Sequence, residues 1–179
     1  MGANGAPPDS VVGPQTIEAL IAKASKVPPG CFVEVGVFKG GTAWHLERLA
    51  YDQGRTLYAY DTFQGIPHAL EGVDVHKVGD FRNVTYQQVR ALLRHARLIM
   101  GTFPQSAVQM GPVAFAHLDC DQYQSYAESL EYLDPLMVPG GVIWCDDMPC
   151  LVGAEKAITE YAARRGRQVT VEHKAFIQF

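Results

Sequence analysis

The chain has 179 residues, of which 47% are hydrophobic and 19% are charged, and this composition is typical of one globular domain with its own core. The formal net charge of -4 excludes the basic surface that nucleic acid or an anionic membrane requires. No segment approaches the ~18 consecutive apolar residues of a membrane span, and the N-terminus does not resemble a secretion signal. The four cysteines form no CxxC pair, which indicates reduced thiols and a cytoplasmic location.

Short apolar runs alternate with amphipathic segments along the chain, which is typical of β-α-β units around a parallel sheet. A covering helix is predicted over residues 14–28. Strands are predicted over 31–36, 56–61, 96–102, 113–121 and 141–147, followed by a closing pair over 168–173 and 174–179. Further helices are predicted over 41–53, 85–96, 125–137 and 153–166, the third of them stopped by Pro139-Gly140-Gly141.

These elements predict one α/β domain over residues 14–179, preceded by a mobile segment over residues 1–13. The expected architecture is Rossmann-like, with a seven-stranded, mostly parallel sheet, an antiparallel C-terminal strand and helices on both faces. In such a sheet, ligands bind beyond the carboxyl ends of the strands. Four of the five parallel strands carry acidic residues at that end, so the functional site is predicted there.

The turn after the first strand, EVGVFKGGT, carries glycines in GxxxGG spacing, with the acidic residue Glu34 just before them. Gly36 permits a tight turn and the close approach of a ligand, and the helix that follows presents free N–H groups. The GxGxxG fingerprint of dinucleotide-binding proteins is absent, and Glu34 would repel a phosphate. Asp61, at the end of the second strand, is placed to bind ribose hydroxyls. The two acids therefore favour a cationic adenosyl ligand, S-adenosylmethionine, over NAD.

The complete prediction for the cofactor site extends from the glycine turn to the neighbouring strand ends. It includes Phe63 because an aromatic ring can stack on adenine. The predicted cofactor-binding residues are Glu34, Gly36, Gly40, Thr42, Asp61, Phe63, Gly101 and Asp119.

Two pairs of aspartates are predicted at the ends of neighbouring strands. The motif HLDCD places Asp119 and Asp121 two residues apart, so both side chains leave the same face, and Asp146 and Asp147 end the next strand. Adjacent strands lie ~4.8 Å apart, so these carboxylates are expected to crowd together. A hard divalent cation would relieve their repulsion, and all-oxygen coordination favours Mg²⁺ or Mn²⁺. His117, on the same face, is interpreted as a satisfied core residue in preference to a base.

Several motifs taken together resemble the macrocin O-methyltransferase family of sugar O-methyltransferases. They extend in order from residue 31 to about residue 162 and comprise FVEVGVFKGGTAWHL, YAYDTFQGIP, VGDF, GTFPQS, HLDCDQYQSYAESLEYLDPLMVPGGVIWCDDM and GAEKAITEY. The resemblance implies a class I methyltransferase fold, S-adenosylmethionine as methyl donor and Mg²⁺ at the acceptor site. By position it implies Asp119, Asp146 and Asp147 as metal ligands and Asp121 as the general base.

The predicted function is transfer of a methyl group from S-adenosylmethionine to a hydroxyl of a small molecule, with assistance from a divalent metal. The expected acceptor is a sugar or another vicinal-diol natural product, and a homodimer is one expected assembly. Three alternatives stay open. An NAD(P)-dependent oxidoreductase lacks support, because neither GxGxxG nor a Tyr-x-x-x-Lys pair is present. A metal-dependent hydrolase would use the four aspartates, and a non-catalytic adenosyl-binding or scaffold protein would retain the same fold.

Overall fold

The structure, a computed structural model, describes residue 8 and residues 10–179. In this part of the chain the strands are β1 (Cys31–Val35), β2 (Leu57–Asp61), β3 (Arg97–Met100), β4 (Val113–Leu118), β5 (Met137–Cys145), β6 (Val169–Val171) and β7 (Ala175–Gln178). The helices are α1 (Pro14–Ala24), α2 (Gly41–Asp52), α3 (Tyr86–Leu92), α4 (Tyr123–Leu133) and α5 (Val152–Arg165), and a 3₁₀ turn covers Asp134–Leu136.

The strands form one sheet in the order β3-β2-β1-β4-β5-β7-β6. Strands β1 to β5 are parallel, and β7 runs antiparallel to both β5 and β6. The order of the strands reverses between β1 and β4, and open α/β sheets bind ligands at such a switch point. The predicted seven-stranded, mostly parallel sheet with an antiparallel C-terminal strand is confirmed.

The sheet separates two hydrophobic cores, because successive side chains of a strand point to opposite faces. Phe32 and Phe115 belong to one core, together with buried residues of α1, α2 and α3. Val33 and Ala116 belong to the other core, together with buried residues of α4 and α5. The predicted helices on both faces are therefore confirmed, and every residue of β4 is buried, as expected for a central parallel strand.

Helix α3 is shorter than the helix predicted over 85–96. It begins with a capping box, in which Thr85 and Gln88 each accept the other's backbone N–H. Beyond its end, the carboxylate of Glu47 accepts the N–H groups of His95 at 2.6 Å and Ala96 at 2.7 Å. A side chain from α2 therefore satisfies these two amides, and this distant partner ends the helix earlier than its periodicity predicted.

The boundary between α4 and β5 also differs from the prediction. The helix predicted over 125–137 begins at Tyr123 and ends at Leu133, because Pro135 has no N–H and its ring clashes with the preceding turn. Pro139-Gly140-Gly141 was predicted to stop the helix but lies inside β5. Gly140 has a φ of 83°, and β5 changes its register with β4 in this region. An irregularity in the strand thus takes the place of the expected turn.

The prediction of a mobile segment over residues 1–13 falls largely outside the described residues. Within the described part, Ser10 lies against the glycine turn, since a methyl group on Gly41 would come within 2.5 Å of the Ser10 Cβ. Among the residues described, no helix combines the length and the apolar character that crossing a membrane requires.

Candidate active site

A cleft of about 840 Å³, including its solvent-filled mouth, opens at the carboxyl edge of the parallel strands. Its apolar walls include Phe38, Ile66, Phe81 and Phe103. Five predicted site residues line it: Gly36, Asp61, Gly101, Asp119 and Asp121. Three acidic residues that the sequence placed at strand ends, Asp61, Asp119 and Asp121, therefore meet in one apolar-walled cleft, whereas Glu34, Asp146 and Asp147 are not in its lining.

The glycine turn packs directly on the end of β4. Gly36 has a φ of 92°, and a methyl group at this position would lie 1.8 Å from the carbonyl oxygen of Asp119. This position therefore requires glycine for both its conformation and its contact. A smaller cavity next to the cleft is lined by Glu34, Thr42 and Asp119, among other residues. The turn thus joins the predicted cofactor residues of β1, α2 and β4.

Asp61 uses both carboxylate oxygens to order the backbone around the cleft. Its Oδ2 accepts the N–H of Phe38 and its Oδ1 accepts the N–H of Phe63, each at 2.7 Å. The ring of Phe63 packs edge-to-face against Tyr86, with centroids 5.5 Å apart. Gly40, at the start of α2, lies next to side chains of α3. Phe63 and Gly40 therefore line neither the cleft nor the smaller cavity, whereas Glu34 and Thr42 line the smaller cavity only.

The aspartates at the ends of β4 and β5 repel one another. Burial and the nearby charge of Asp147 raise the pKa of Asp119 well above its usual range. Burial and the charges of Asp147 and Asp146 raise the pKa of Asp121 to about 8. Burial also raises the pKa of Asp147, although hydrogen bonds partly oppose this shift. Crowded carboxylates of this kind favour bound protons or a bound cation.

Asp147 holds Asp121 in an unusual backbone conformation. Asp121 has a φ of 60°, in the left-handed region that few residues other than glycine adopt. The Oδ2 of Asp147 accepts the N–H of Asp121 at 2.9 Å and the hydroxyl of Tyr126 at 2.9 Å. The buried Tyr126 hydroxyl also lies 2.7 Å from the carbonyl oxygen of Leu118. The orientation of Asp121 therefore depends on α4 and on the end of β5.

A buried row of charged side chains crosses the centre of the sheet. Glu34 Oε1 lies 3.0 Å from His117 Nδ1, and His117 Nε2 lies 3.8 Å from Asp146 Oδ1. Lys174, in the turn between β6 and β7, lies 3.1 Å from Asp146 Oδ2. Burial opposes the charged form of His117, but Asp146 and Glu34 outweigh it and raise its pKa to about 10. His117 is thus fully buried and bonded to Glu34 through Nδ1, as expected of a core residue, but its Nε2 has no hydrogen-bond partner among the described residues.

The same row lowers the pKa of Asp146. Burial favours its neutral form, but His117 and Lys174 outweigh this effect and lower the pKa to about 2. Asp146 is therefore ionised and neutralised by protein cations. This distinguishes it from Asp119, Asp121 and Asp147, whose pKa values are all raised.

The acid cluster fits the predicted divalent cation in the chemistry of its donors. All four side chains offer carboxylate oxygens, which Mg²⁺ and Mn²⁺ prefer, and three of them have pKa values raised in part by mutual repulsion. Within residue 8 and residues 10–179, however, no three acidic, histidine or cysteine side chains are grouped as ligands around a common point.

Other residues at this edge were not assigned a role from the sequence. Asp74, Tyr126 and Lys174 each contact an aspartate of the cluster or the start of α4. His76, for which the sequence favoured a solvated loop position over a place at the acceptor pocket, contacts Asp121. His76 and Asp74 belong to a long segment without periodicity, and Lys174 lies in a hairpin turn. Local pattern carries no signal for these contacts, because each joins residues at least 21 positions apart.

The sheet order, the glycine turn and the acid-lined cleft define a class I methyltransferase fold. The solved structure of the O-methyltransferase NovP is 24% identical, with a TM-score of 0.76 over 92% of this chain and 78% of that one. CalS11, a calicheamicin methyltransferase, is 18% identical, with a TM-score of 0.77 over 92% of this chain and 77% of that one. An O-methyltransferase from Bacillus cereus, solved with SAH, is 16% identical, with a TM-score of 0.59 over 96% and 83%. At these identities the likeness concerns the fold alone.

The chain belongs to the macrocin-O-methyltransferase (TylF) family, whose profile it matches over residues 14–174. A 4'-O-methyltransferase of a rhamnosyl-tetracenomycin from Streptomyces olivaceus is 30% identical over 157 residues, which cover 77% of this chain. Demethyldecarbamoylnovobiocin O-methyltransferase from Streptomyces niveus is 28% identical over 155 residues, or 76% of this chain. The chain spans 60% and 59% of the lengths of these two relatives. The family resemblance seen in the motifs is confirmed.

Proposed function

We propose that the protein transfers a methyl group from S-adenosylmethionine to a hydroxyl of a small molecule. The observation that carries this proposal is the convergence of Asp61, Asp119 and Asp121 on one apolar-walled cleft at the switch point of the sheet. Such a cleft suits a ligand that combines an adenosyl group with positive charge. Membership of the macrocin-O-methyltransferase family supports the same conclusion.

The cofactor would occupy the part of the cleft between the glycine turn and the ends of β2 and β3. Gly36 and Gly101 line this part of the cleft and present no side chain to the cofactor. Asp61 is already ordered by two backbone N–H groups, and each oxygen keeps a lone pair for a ribose hydroxyl. Bound S-adenosylmethionine supplies a methyl group on a sulfonium, which is activated for displacement by an oxygen nucleophile.

Asp121 would remove the proton from the acceptor hydroxyl. It lies in the cleft lining, and its backbone is held by Asp147, so its carboxylate is oriented before the acceptor arrives. Without a bound cation, burial and the neighbouring acids raise its pKa to about 8, so its ionised form is a stronger base than an ordinary aspartate. The acceptor oxygen would then bond to the methyl carbon, in line with the carbon–sulfur bond, which breaks and leaves S-adenosylhomocysteine as the product.

We also propose that Asp119, Asp146 and Asp147 would hold a divalent cation, Mg²⁺ or Mn²⁺. When bound, such a cation lowers the pKa of a coordinated hydroxyl and offsets the charge of the cluster. The raised pKa values of Asp119 and Asp147 support this assignment. The salt bridge of Asp146 to Lys174 makes Asp146 the ligand that is already neutralised without a metal.

The proposed acceptor is a sugar hydroxyl of a natural product. This class follows from the two relatives, which by name act on a rhamnosyl-tetracenomycin and on demethyldecarbamoylnovobiocin. A first panel would contain a methyl rhamnoside and a catechol, because both present vicinal hydroxyls.

The location and the assembly of the protein are separate proposals. The four free cysteines agree with a cytoplasmic location. Light scattering on the purified protein would test for a homodimer.

Calorimetric titration of S-adenosylmethionine into the purified protein, once with Mg²⁺ and once with excess chelator, tests the cofactor assignment. Saturable binding is expected in both buffers. Folded protein that binds Mg²⁺ but not S-adenosylmethionine would contradict the proposal and favour a metal-dependent hydrolase. Binding of neither would favour a scaffold protein.

The variant Asp121→Asn tests the general base. Because asparagine has the same shape but accepts no proton, we expect turnover to fall by at least about a hundredfold. Affinity for S-adenosylhomocysteine should stay within about threefold of the wild type, since Asp121 is not assigned to the cofactor. Normal turnover of this variant would rule out Asp121 as the base.

A further inference from the structure

The loop between β2 and α3, residues 62–85, covers one side of the cleft. Thr62, Gly65, Ile66, Pro67 and Phe81 of this loop line it. The base of the loop is closed by two backbone hydrogen bonds, from Ile66 N to Asp80 O at 2.9 Å and from Gly79 N to Ile66 O at 3.0 Å. The intervening residues 67–78 form the distal part of the β2–α3 loop, and their contacts with the rest of the domain decide where it lies.

Asp74 connects this distal part to helix α4. Its Oδ1 accepts the N–H of Tyr123, the first residue of α4, at 2.9 Å. Its Oδ2 accepts the N–H of Leu70 at 2.7 Å, and its own N–H bonds to the carbonyl oxygen of Leu70 at 2.9 Å. One carboxylate thus closes a turn of the loop and also satisfies a free N–H at the start of a helix. The negative charge is favourable there because it faces the positive end of the helix dipole.

Gly153 makes room for this carboxylate. It is buried in the first turn of α5, and a methyl group on it would lie 1.9 Å from Asp74 Oδ1 and 3.2 Å from Tyr123 N. The β2–α3 loop, α4 and α5 therefore meet at one point, where any side chain larger than that of glycine would displace the Asp74 carboxylate. We call Asp74, Gly153 and the N–H of Tyr123 the Asp74 latch.

The latch lies two residues along the chain from the proposed base. Asp121 and Gln122 immediately precede Tyr123, so the start of α4 sets where Asp121 stands. On the loop side, His76 follows Asp74 by two residues, and its Nε2 lies 3.6 Å from Asp121 Oδ1. The ring of His76 also packs against Phe81, a residue of the cleft wall, with centroids 4.8 Å apart. The Asp74 latch therefore holds both partners of this contact, His76 in the loop and Asp121 before α4.

We propose that Asp74 and Gly153 are positioning residues, which fix Asp121 and the β2–α3 loop relative to each other at the mouth of the cleft. The acceptor hydroxyl would enter between these two elements, so the latch controls turnover without touching the cofactor. This inference rests on the proposed function, because it takes Asp121 as the base of the methyl transfer.

Two variants test the Asp74 latch, one in the β2–α3 loop and one in α5. Asp74→Asn keeps the shape of the side chain but removes its charge and turns one acceptor into a donor, so the N–H of Tyr123 or that of Leu70 loses its partner. Gly153→Ala adds a methyl group that displaces the carboxylate, although alanine itself suits a helix. Glu71→Gln is the matched control, since it removes an exposed charge from the same loop.

Hydrogen–deuterium exchange of the full chain measures how strongly the Asp74 latch protects the backbone amides of the two segments that it joins. In Asp74→Asn and in Gly153→Ala we expect exchange of the segments 66–81 and 119–126 to be about tenfold faster, as the loss of one charge-assisted hydrogen bond predicts. The double variant should be no faster than the faster single variant, because both changes break the same contact. Glu71→Gln should exchange like the wild type. Unchanged exchange of segment 119–126 in Asp74→Asn would overturn the proposal.

Kinetics separate positioning from a general loss of structure. With an acceptor from the rhamnoside and catechol panel, kcat of both single variants should fall about tenfold, while the KM for S-adenosylmethionine stays within about twofold. A normal kcat in a variant with faster exchange would overturn the positioning role. Failure of the wild type to bind S-adenosylmethionine would contradict the proposed function instead, and the exchange measurement would still report on the latch.

Discussion

Single hydrogen bonds decide how the acidic residues of the cleft are oriented. The hydroxyl of Tyr126 is buried between Asp147 and the end of β4, and Asp147 in turn holds the N–H of Asp121. Tyr126 therefore acts on the proposed base through one intermediate residue. The orientation of the carboxylates therefore depends on uncharged hydrogen-bond donors, such as the Tyr126 hydroxyl, that do not themselves line the cleft.

The variant Tyr126→Phe removes only this hydroxyl. Because the buried partners lose a hydrogen bond, we expect the free energy of unfolding to fall by about 1–3 kcal/mol and turnover to fall with it. Urea denaturation and turnover with the panel acceptors measure both effects. Tyr123→Phe is the control: its hydroxyl bonds Glu160 near the surface, so a change below about 0.5 kcal/mol is expected. Equal effects of the two variants would contradict the role assigned to Tyr126.

At the scale of elements, the glycine turn is where β1, β4 and α2 are fitted together. Gly36 N donates to Tyr60 O at 3.0 Å, and Asp119 N donates to Val35 O at 2.9 Å, so the turn continues the pairing of the central strands. The turn brings the backbone of β1 so close to that of β4 that no side chain fits between them. The cofactor side and the acceptor side of the cleft are joined at this contact.

We expect Gly36→Ala to destabilise the fold by at least about 3 kcal/mol, because the new methyl group would meet the carbonyl of Asp119 at 1.8 Å. Gly54→Ala is the matched control. Gly54 also has a positive φ, 66°, but an added methyl group there meets nothing within 4 Å, so a cost of about 1 kcal/mol is expected. Thermal denaturation of both variants measures the difference. Similar costs would show that backbone strain, and not the contact with β4, makes glycine necessary.

For the whole molecule, the acid cluster makes stability depend on pH. An ordinary aspartate has a pKa of about 3.9 in an unfolded chain, whereas burial and like charges raise the pKa of Asp121 to about 8 in the folded protein. The folded state therefore binds more protons than the unfolded state between these values. This contribution to stability is fully present below the unfolded pKa and is lost as the pH rises through about 8.

We therefore expect the thermal midpoint measured in chelator to fall between about pH 6 and about pH 9, and Asp121→Asn to reduce this slope. If the cluster binds Mg²⁺, the ion should raise the midpoint more at the alkaline end, where the carboxylates are ionised. Asp146, in the buried row from Glu34 to Lys174, affects stability at a lower pH. Asp146, with a pKa of about 2, loses its contribution only in strong acid. A midpoint independent of pH would contradict the crowding of charges described for the cluster.

The sequence by itself determined the fold class of this protein and the edge of the sheet at which the functional site lies. Alternating apolar runs predicted the parallel sheet and its layers, because burial on both faces of a strand imposes that pattern on the residues. Aspartates and glycines at strand ends predicted the edge of the functional site, since parallel strands bring their carboxyl ends to one edge of the sheet. The family resemblance added roles for Asp119, Asp121, Asp146 and Asp147 that the residues alone left open.

Only the tertiary structure decided which side chains and backbone groups these acidic residues bond to. The pairing of Asp146 with Lys174, of Asp147 with Tyr126 and of Asp74 with the start of α4 joins positions 28, 21 and 49 apart, respectively. Such contacts depend on how helices and loops pack on the sheet, and local periodicity contains no information about them. The same reason explains the early end of α3, which a carboxylate of α2 imposes on it. The sequence determined which residues reach the cleft edge, whereas packing determined the charge and orientation of each one.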